Sequence, residues 1–305
     1  MTVLNLLAPI FLVIALGAAL QRGGMLAPEL ISGINRLLYW VGLPAAVIHA
    51  MVTAESARGG AGWLMLVMTG ATLLNAFLSW AEARAIGVSD RSRGTFVQAS
   101  FRGNLSFVGL PLLLTVPGVP IGKAMLVFAP MVIVHNALTV VVLTLSQDNT
   151  RGNLGKKLGK GIVSNPIIVA CVIGFGFAQM GWGLPIAIET TLGSLARMAL
   201  PLALLCIGAT LMTVRLGGNR RHAGLAAVHK VVLSPLIGYA MGRLAGFDDA
   251  TMLTLLICLS CPTAAISFTM AKQMGGDEGL AATAVVYSAV ASAVSLGVVI
   301  AVFAL

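Results

Sequence analysis

Apolar residues in this chain neither alternate nor form a stripe; they run on. Ten runs stand out, at residues 3–21, 29–52, 61–85, 94–115, 119–146, 158–182, 185–213, 222–245, 249–272 and 278–304, separated by short polar turns. A helix of about 20 apolar residues, rising about 1.5 Å per residue, crosses the hydrocarbon core of a bilayer. The expected fold is therefore an all-α integral membrane protein with ten transmembrane helices. The first run has no basic leader and no convincing small-residue cleavage site, so it is read as a span and not as a removable signal.

Breakers punctuate the runs at a constant step. Pro9, Pro28 and Pro44 have counterparts 157 residues on in Pro166, Pro185 and Pro201, and Gly17 and Gly24 keep the same step to Gly174 and Gly181. A helix does not keep prolines by propensity, so matched prolines mark a duplicated unit. The halves are expected to be 1–150 and 151–305. An odd number of spans in each forces the second half to enter the membrane in the opposite sense, which is the inverted repeat of secondary transporters. The polar, basic segment 147–160 is the seam.

Composition supports lipid as the solvent: 58% hydrophobic and 10% charged residues, with a mean hydropathy of +0.97. The net charge of +9 is not a nucleic-acid stripe, because the bases cluster in short loops. With the amino terminus outside, the inner loops hold twelve Lys and Arg (Arg22, Arg84, Arg91, Arg93, Arg151, Lys156, Lys157, Lys160, Arg215, Arg220, Arg221 and Lys272). The outer loops hold three, Arg58, Lys123 and Arg243, while Arg36, Arg102, Arg197 and Lys230 lie within spans. This positive-inside bias predicts a bacterial cytoplasmic (inner) membrane protein with both termini outside.

Chemistry is expected where spans are interrupted. The fourth run contains Arg102-Gly103-Asn104 and then Gly109-Leu110-Pro111; the ninth contains Ser260-Cys261-Pro262-Thr263-Ala264-Ala265-Ile266-Ser267. Glycine and proline there free backbone groups that lipid cannot satisfy. Pro111 and Pro262 are 151 residues apart and so depart from the 157 step. If the two segments cross at their prolines, two half-helix amino ends converge, and their partial positive charge suits an anion; otherwise both are proline kinks.

Arg102-Gly103-Asn104 with Gly109-Leu110-Pro111, Asn165-Pro166-Ile167, Pro201-Leu202-Ala203-Leu204 ending in Ile207-Gly208-Ala209, and Cys261-Pro262-Thr263-Ala264 together resemble the bacterial branch of the auxin efflux carrier family, over nearly the whole chain. The resemblance implies five plus five inverted spans and a scaffold from the first two spans of each repeat (about 1–60 and 157–215). It also implies a mobile transport unit (about 61–146 and 220–305) whose fourth spans cross at their prolines. Its bacterial members are associated with small organic acids such as malonate or malate. The long cytosolic loop of plant relatives is replaced here by 147–160.

Asn104 is either a substrate ligand or helix-to-helix glue, and Arg102 either attracts the anion bidentately or snorkels to the inner interface. Asn136 resembles a polar position the family uses near its crossover, and His135 beside it could carry a proton. Pro111, Pro262 and Thr263 complete the expected substrate site. Asn75 and Lys230 fall at roughly matching places behind it, with snorkelling the alternative for Lys230; Ser267 offers a hydroxyl to a coupling ion. Cys258-Leu-Ser-Cys261, Cys171 and Cys206 read as small packing residues.

All ten acidic residues lie in loops or near span ends, which disfavours a cation antiporter. No catalytic or metal-ligating constellation speaks for an enzyme. The expected function is secondary active transport of a small mono- or dicarboxylate by alternating access. A coupled carrier of a larger amphipathic acid and an anion channel are the alternatives. No cofactor is expected beyond a coupling ion, H+ or Na+. The expected partners are substrate, membrane lipid and a second copy of the chain in a homodimer.

Overall fold

The computed structural model describes residues 3–53, 61–146, 166–213 and 216–304; the seam at 147–160 and Asn165 lie outside the described residues. The described residues are helical throughout and contain no strand, only one isolated antiparallel bridge between Gly103 and Thr263. In chain order the helices are α1 (Val3–Arg22), α2 (Pro28–Thr53), α3 (Ala61–Ala85), α4 (Asp90–Phe101), α5 (Leu105–Thr115) and α6 (Ile121–Leu145). There follow α7 (Pro166–Met180), α8 (Ile186–Thr213), α9 (Arg220–Leu244), α10 (Asp249–Ser260), α11 (Ile266–Gln273) and α12 (Glu278–Phe303). Six of these, α2, α3, α6, α8, α9 and α12, contain stretches long and apolar enough to cross a membrane. Shorter apolar helices accompany them at Leu12–Arg22, Leu105–Thr115, Pro166–Phe177 and Asp249–Ser260. Val290, Val294, Val298 and Val302, one helical turn apart on α12, are all exposed, a face that only lipid would cover without cost.

Local chemistry sets the ends. Pro28 opens α2, where its missing N–H costs nothing. The carboxylates of Asp248 and Asp277 accept from Thr251 N and Leu280 N and cap α10 and α12. Gly24 and Gly181, one repeat step apart, follow α1 and α7 with φ of 77° and 65°, a conformation that costs glycine little. Inside three helices the turn widens to a π-turn: Leu38–Gly42 in α2, Leu105–Gly109 in α5 and His229–Leu233 in α9. Each ends two residues before a proline, Pro44, Pro111 or Pro235. A proline ring clashes with the carbonyl four residues back, and that carbonyl falls inside the π-turn each time, so the extra residue relieves the clash and keeps the helix going.

Packing divides the helices into two groups. In one, α1 lies against α8 and α2 against α7. A Cβ on Gly17 would collide with the Leu205 backbone, and one on Gly174 would lie 3.5 Å from Ile48 Cα. Gly174 and Leu205 stand 157 residues after Gly17 and Ile48, so one contact is repeated with the roles of the halves exchanged. In the other group α3, α4, α6, α9, α10 and α12 pack on one another. The fourth and ninth runs are not single helices: α4–α5 and α10–α11 are each interrupted and cross at the Gly103–Thr263 bridge.

The position of the first break corrects the sequence reading. Helix α4 ends at Phe101 and α5 begins at Leu105, so the chain parts at Gly103 and not at Pro111, which lies within α5 behind its π-turn. Helices α4 and α10 are both twelve residues long and begin 159 residues apart, which makes Pro262 the counterpart in sequence of Gly103 and Thr263 that of Asn104.

Candidate functional site

The crossing is built from backbone. Asn104 N donates to the Pro262 carbonyl at 2.7 Å and Ala264 N to the Arg102 carbonyl at 3.0 Å. Thr263 N donates to Ser288 Oγ at 2.9 Å, and Thr263 Oγ1 to the Ala99 carbonyl at 2.7 Å. Gln98 Nε2 ties the Ser267 carbonyl across the same crossing at 2.9 Å. Peptide groups freed by the breaks are thus paired where water is scarce, as a low-dielectric interior requires. Glycine fits closely at 103: a Cβ there would lie 3.3 Å from both the Cys258 carbonyl and Lys230 Cε, so either neighbour would have to give slightly.

Two helices start at the crossing. Asn104 caps α5, its side-chain oxygen accepting from Phe107 N at 3.3 Å, and α11 starts at Ile266. Leu105, Ser106 and Phe107 from one start and Ala264, Ala265 and Ile266 from the other line one cavity of about 590 Å³. The cavity is closed by Asn35, Arg36 and Tyr39 of α2, by His135 and Asn136 of α6, and by Met270 and Gln273 of α11. It therefore lies between the two groups of helices, with two positive helix ends in its wall.

Arg36 and Arg102 both bring positive charge there, Arg36 exposed and Arg102 buried. The Arg102 side chain does not snorkel: one guanidinium nitrogen donates to Asn136 Oδ1 at 2.5 Å, and another lies 2.6 Å from the Met270 sulfur. Among the described residues it has no carboxylate partner. Lys230, which the sequence reading inclined to place at the interface, is fully buried, with Nζ donating to the Leu259 carbonyl at 2.5 Å. Two buried cations, neither with a carboxylate partner among the described residues, make this region electropositive.

Of the residues expected at the site, Arg102, Asn104, His135 and Asn136 share this cavity. His135 is buried, edge-on to Phe101 at 6.0 Å between ring centroids, and its Nε2 has no hydrogen-bond partner among the described residues. Pro262 and Thr263 form the crossing behind the wall, and Ser267 is buried with its hydroxyl unpaired among the described residues. Pro111 is elsewhere. It lines a second cavity of about 530 Å³ with His49, Thr53, Thr115, Arg197 and Pro201, reached from the opposite end of α5. Asn75 is fully buried and donates to the Ser100 carbonyl at 2.8 Å, so it braces the last turn of α4.

The sequence did not single out His229, which joins Asn75 to Glu82, or Gln98 and the α2 residues Asn35 and Tyr39. A signal existed for His229 and Gln98, since both are polar residues inside apolar runs. The four cysteines are buried and free, in keeping with a packing role.

Compared with known families, the chain matches the one described as membrane transport protein, over residues 2–154 and 146–300. A protein of Methanothermobacter thermautotrophicus named "Uncharacterized transporter" is 27% identical over 293 residues, 94% of each chain. One of Rhizobium meliloti named "Putative malonate transporter" is 24% identical over 284 residues, 89% of this chain and 86% of the relative.

Proposed function

The chain belongs to the membrane transport protein family, and on that premise we propose that it is a secondary active transporter of a small organic anion, a mono- or dicarboxylate. The observation that carries this reading is Arg102, a buried guanidinium with only neutral partners, in the wall of a cavity flanked by two helix amino ends. A carboxylate entering from water would exchange its hydration for Arg102 and for the amides of Asn104 and Asn136. Fixed dipoles and one charge-assisted contact hold it. Because Asn136 already orients Arg102, the guanidinium keeps a hydrogen-bond partner when the anion departs, although its charge is then again without a counter-ion. The malonate named for the Rhizobium relative has the chemistry this site would accept, and is the first substrate to test.

In this proposal ten spans form two inverted five-helix repeats, 1–150 and 151–305. The scaffold comprises about 1–60 and 157–215, and the transport unit about 61–146 and 220–305. The reciprocal contacts of Gly17 with Leu205 and Gly174 with Ile48 support it. The two cavities at opposite ends of α5 support alternating access, since sliding the crossing against α2 and α8 would widen one while narrowing the other. Placement in the cytoplasmic membrane with both termini outside follows the basic loops. The test is counterflow: protein reconstituted in vesicles loaded with unlabelled malonate should accumulate labelled malonate transiently and saturably. A channel would give neither saturation nor stimulation by internal substrate, and either failure would defeat the carrier reading.

A further inference from the structure

We propose that Glu82, His229 and Asn75 form a proton-binding site that links the inner aqueous edge of the protein to the crossing, an inference that rests on the transport reading for its purpose. Hydrogen-bond logic fixes the proton count. Asn75 Nδ2 donates to the Ser100 carbonyl at 2.8 Å, and a carbonyl can only accept, so the amide cannot be turned round. Asn75 Oδ1 is therefore the atom that meets His229 Nδ1 at 2.9 Å, and Nδ1 must carry a hydrogen. The other ring nitrogen, Nε2, contacts the Glu82 carboxylate. A neutral ring with its hydrogen on Nδ1 presents a bare lone pair at Nε2, and an ionised carboxylate presents only lone pairs. That contact needs one more proton, on the ring or on the acid. The pair as built has taken up one H+; on release its charge falls from zero to minus one, and the neutral ring can donate to Glu82 or to Asn75 but not to both.

The surroundings place this event between water and the crossing. The Glu82 side chain is 32% exposed and that of His229 only 8%, so Glu82 is the route for the proton. At the other end Ser100 lies in the last turn of α4, two residues before Arg102. Loss of the proton leaves the imidazole with one hydrogen for two acceptors; where that hydrogen stays with Glu82 it is withdrawn from Asn75 Oδ1, the residue whose Nδ2 holds the Ser100 carbonyl. From α4, Phe96 packs its ring 6.2 Å from the imidazole, and Arg102 beyond its end is held by Asn136. Lys230 follows His229 on the same π-turn with Nζ on the Leu259 carbonyl, and α10 brings Cys258 and Cys261 to the same neighbourhood at Gly103. Helix α12 carries Glu278 and Tyr287, the first turn of α9 carries Arg220, Arg221 and His222, and α3 also carries Arg84. Among the described residues, Glu82 is the titratable group bonded to His229.

The proton site is read without substrate by nuclear magnetic resonance of ring-labelled histidines in the purified full-length protein, with His229→Asn identifying the resonance. In the wild type the His229 ring should carry a hydrogen on Nδ1 and share another between Nε2 and Glu82; in Glu82→Gln, Nε2 should become a bare acceptor while the Nδ1 hydrogen stays. A bare Nδ1 in the wild type, or ring-nitrogen signals unchanged by Glu82→Gln, overturns the site. Its link to transport is read in vesicles. Glu82→Gln and His229→Asn should keep malonate counterflow while losing the stimulation of uptake by an imposed pH gradient. Stimulation that survives in both variants overturns the coupling. A wild-type protein with the expected ring-nitrogen signals but no malonate counterflow would support the proton site and count against the anion-carrier reading instead.

Discussion

Arg102 donates to Asn136 Oδ1 at 2.5 Å, so a buried cation on one helix is oriented by a neutral amide on another. A carboxylate in place of Asn136 would cancel the charge and close the site; the amide holds the guanidinium in position and leaves its charge available. A buried charge without a counter-ion is costly to the fold. Arg102→Gln should therefore leave the melting temperature of the purified protein unchanged or raise it. A large fall in melting temperature would mean that Arg102 serves the fold more than the ligand.

Pro111 sits behind the π-turn Leu105–Gly109 and lines the cavity remote from Arg102. Pro111→Ala removes the ring clash that the widened turn absorbs, allowing an ordinary α-turn. Transport kinetics should then show an altered kcat with KM nearly unchanged. An effect confined to KM would place Pro111 at the substrate.

Helices α1 and α8 meet without room for side chains: a Cβ on Gly17 or Gly208 would collide with the Leu205 or Ile14 backbone. Gly17→Ala and Gly208→Ala should each destabilise the protein by about 1–3 kcal/mol, since the backbone must shift to admit the methyl. Gly176→Ala, in α7 with no atom of the described residues within 4 Å of the added carbon, should be neutral or stabilising. Thermal or denaturant unfolding in detergent compares the three, and equal effects would refute the close approach.

The basic loops predict an orientation with 147–160 inside and both termini outside. Single cysteines introduced at 147–160 in a background lacking the four native cysteines should resist membrane-impermeant maleimide applied from the periplasm, whereas cysteines at either terminus should react. Labelling of the 147–160 cysteines from outside would reverse the topology.

The long apolar runs were legible because crossing lipid leaves no alternative to a helix, and the duplicated prolines were legible because a breaker is kept only where the fold uses it. The exact break was not. Proline is the louder signal in 94–115, yet Gly103 parts the helix, while a π-turn accommodates Pro111. Periodicity cannot show this, because both outcomes satisfy the same hydrophobic pattern. Arg102 and Lys230 were equally ambiguous, since a long side chain near a span end either snorkels or folds inward. Only the position of Asn136 and the Leu259 carbonyl decides. Glu82 and His229 are 147 residues apart, and nothing local to either announces the other.

The central claim is that the cavity at the crossing binds an organic anion through Arg102, Asn104 and Asn136. Equilibrium binding of labelled malonate to the purified protein tests it most directly, with Arg102→Gln, Asn104→Ala and Asn136→Ala measured beside the wild type. Each substitution should weaken binding by about 1–3 kcal/mol, roughly fivefold to more than a hundredfold in Kd, the cost of losing one hydrogen bond to a charged ligand. Saturable malonate binding with the same Kd in all four proteins would contradict the assignment and make the crossing a structural element alone.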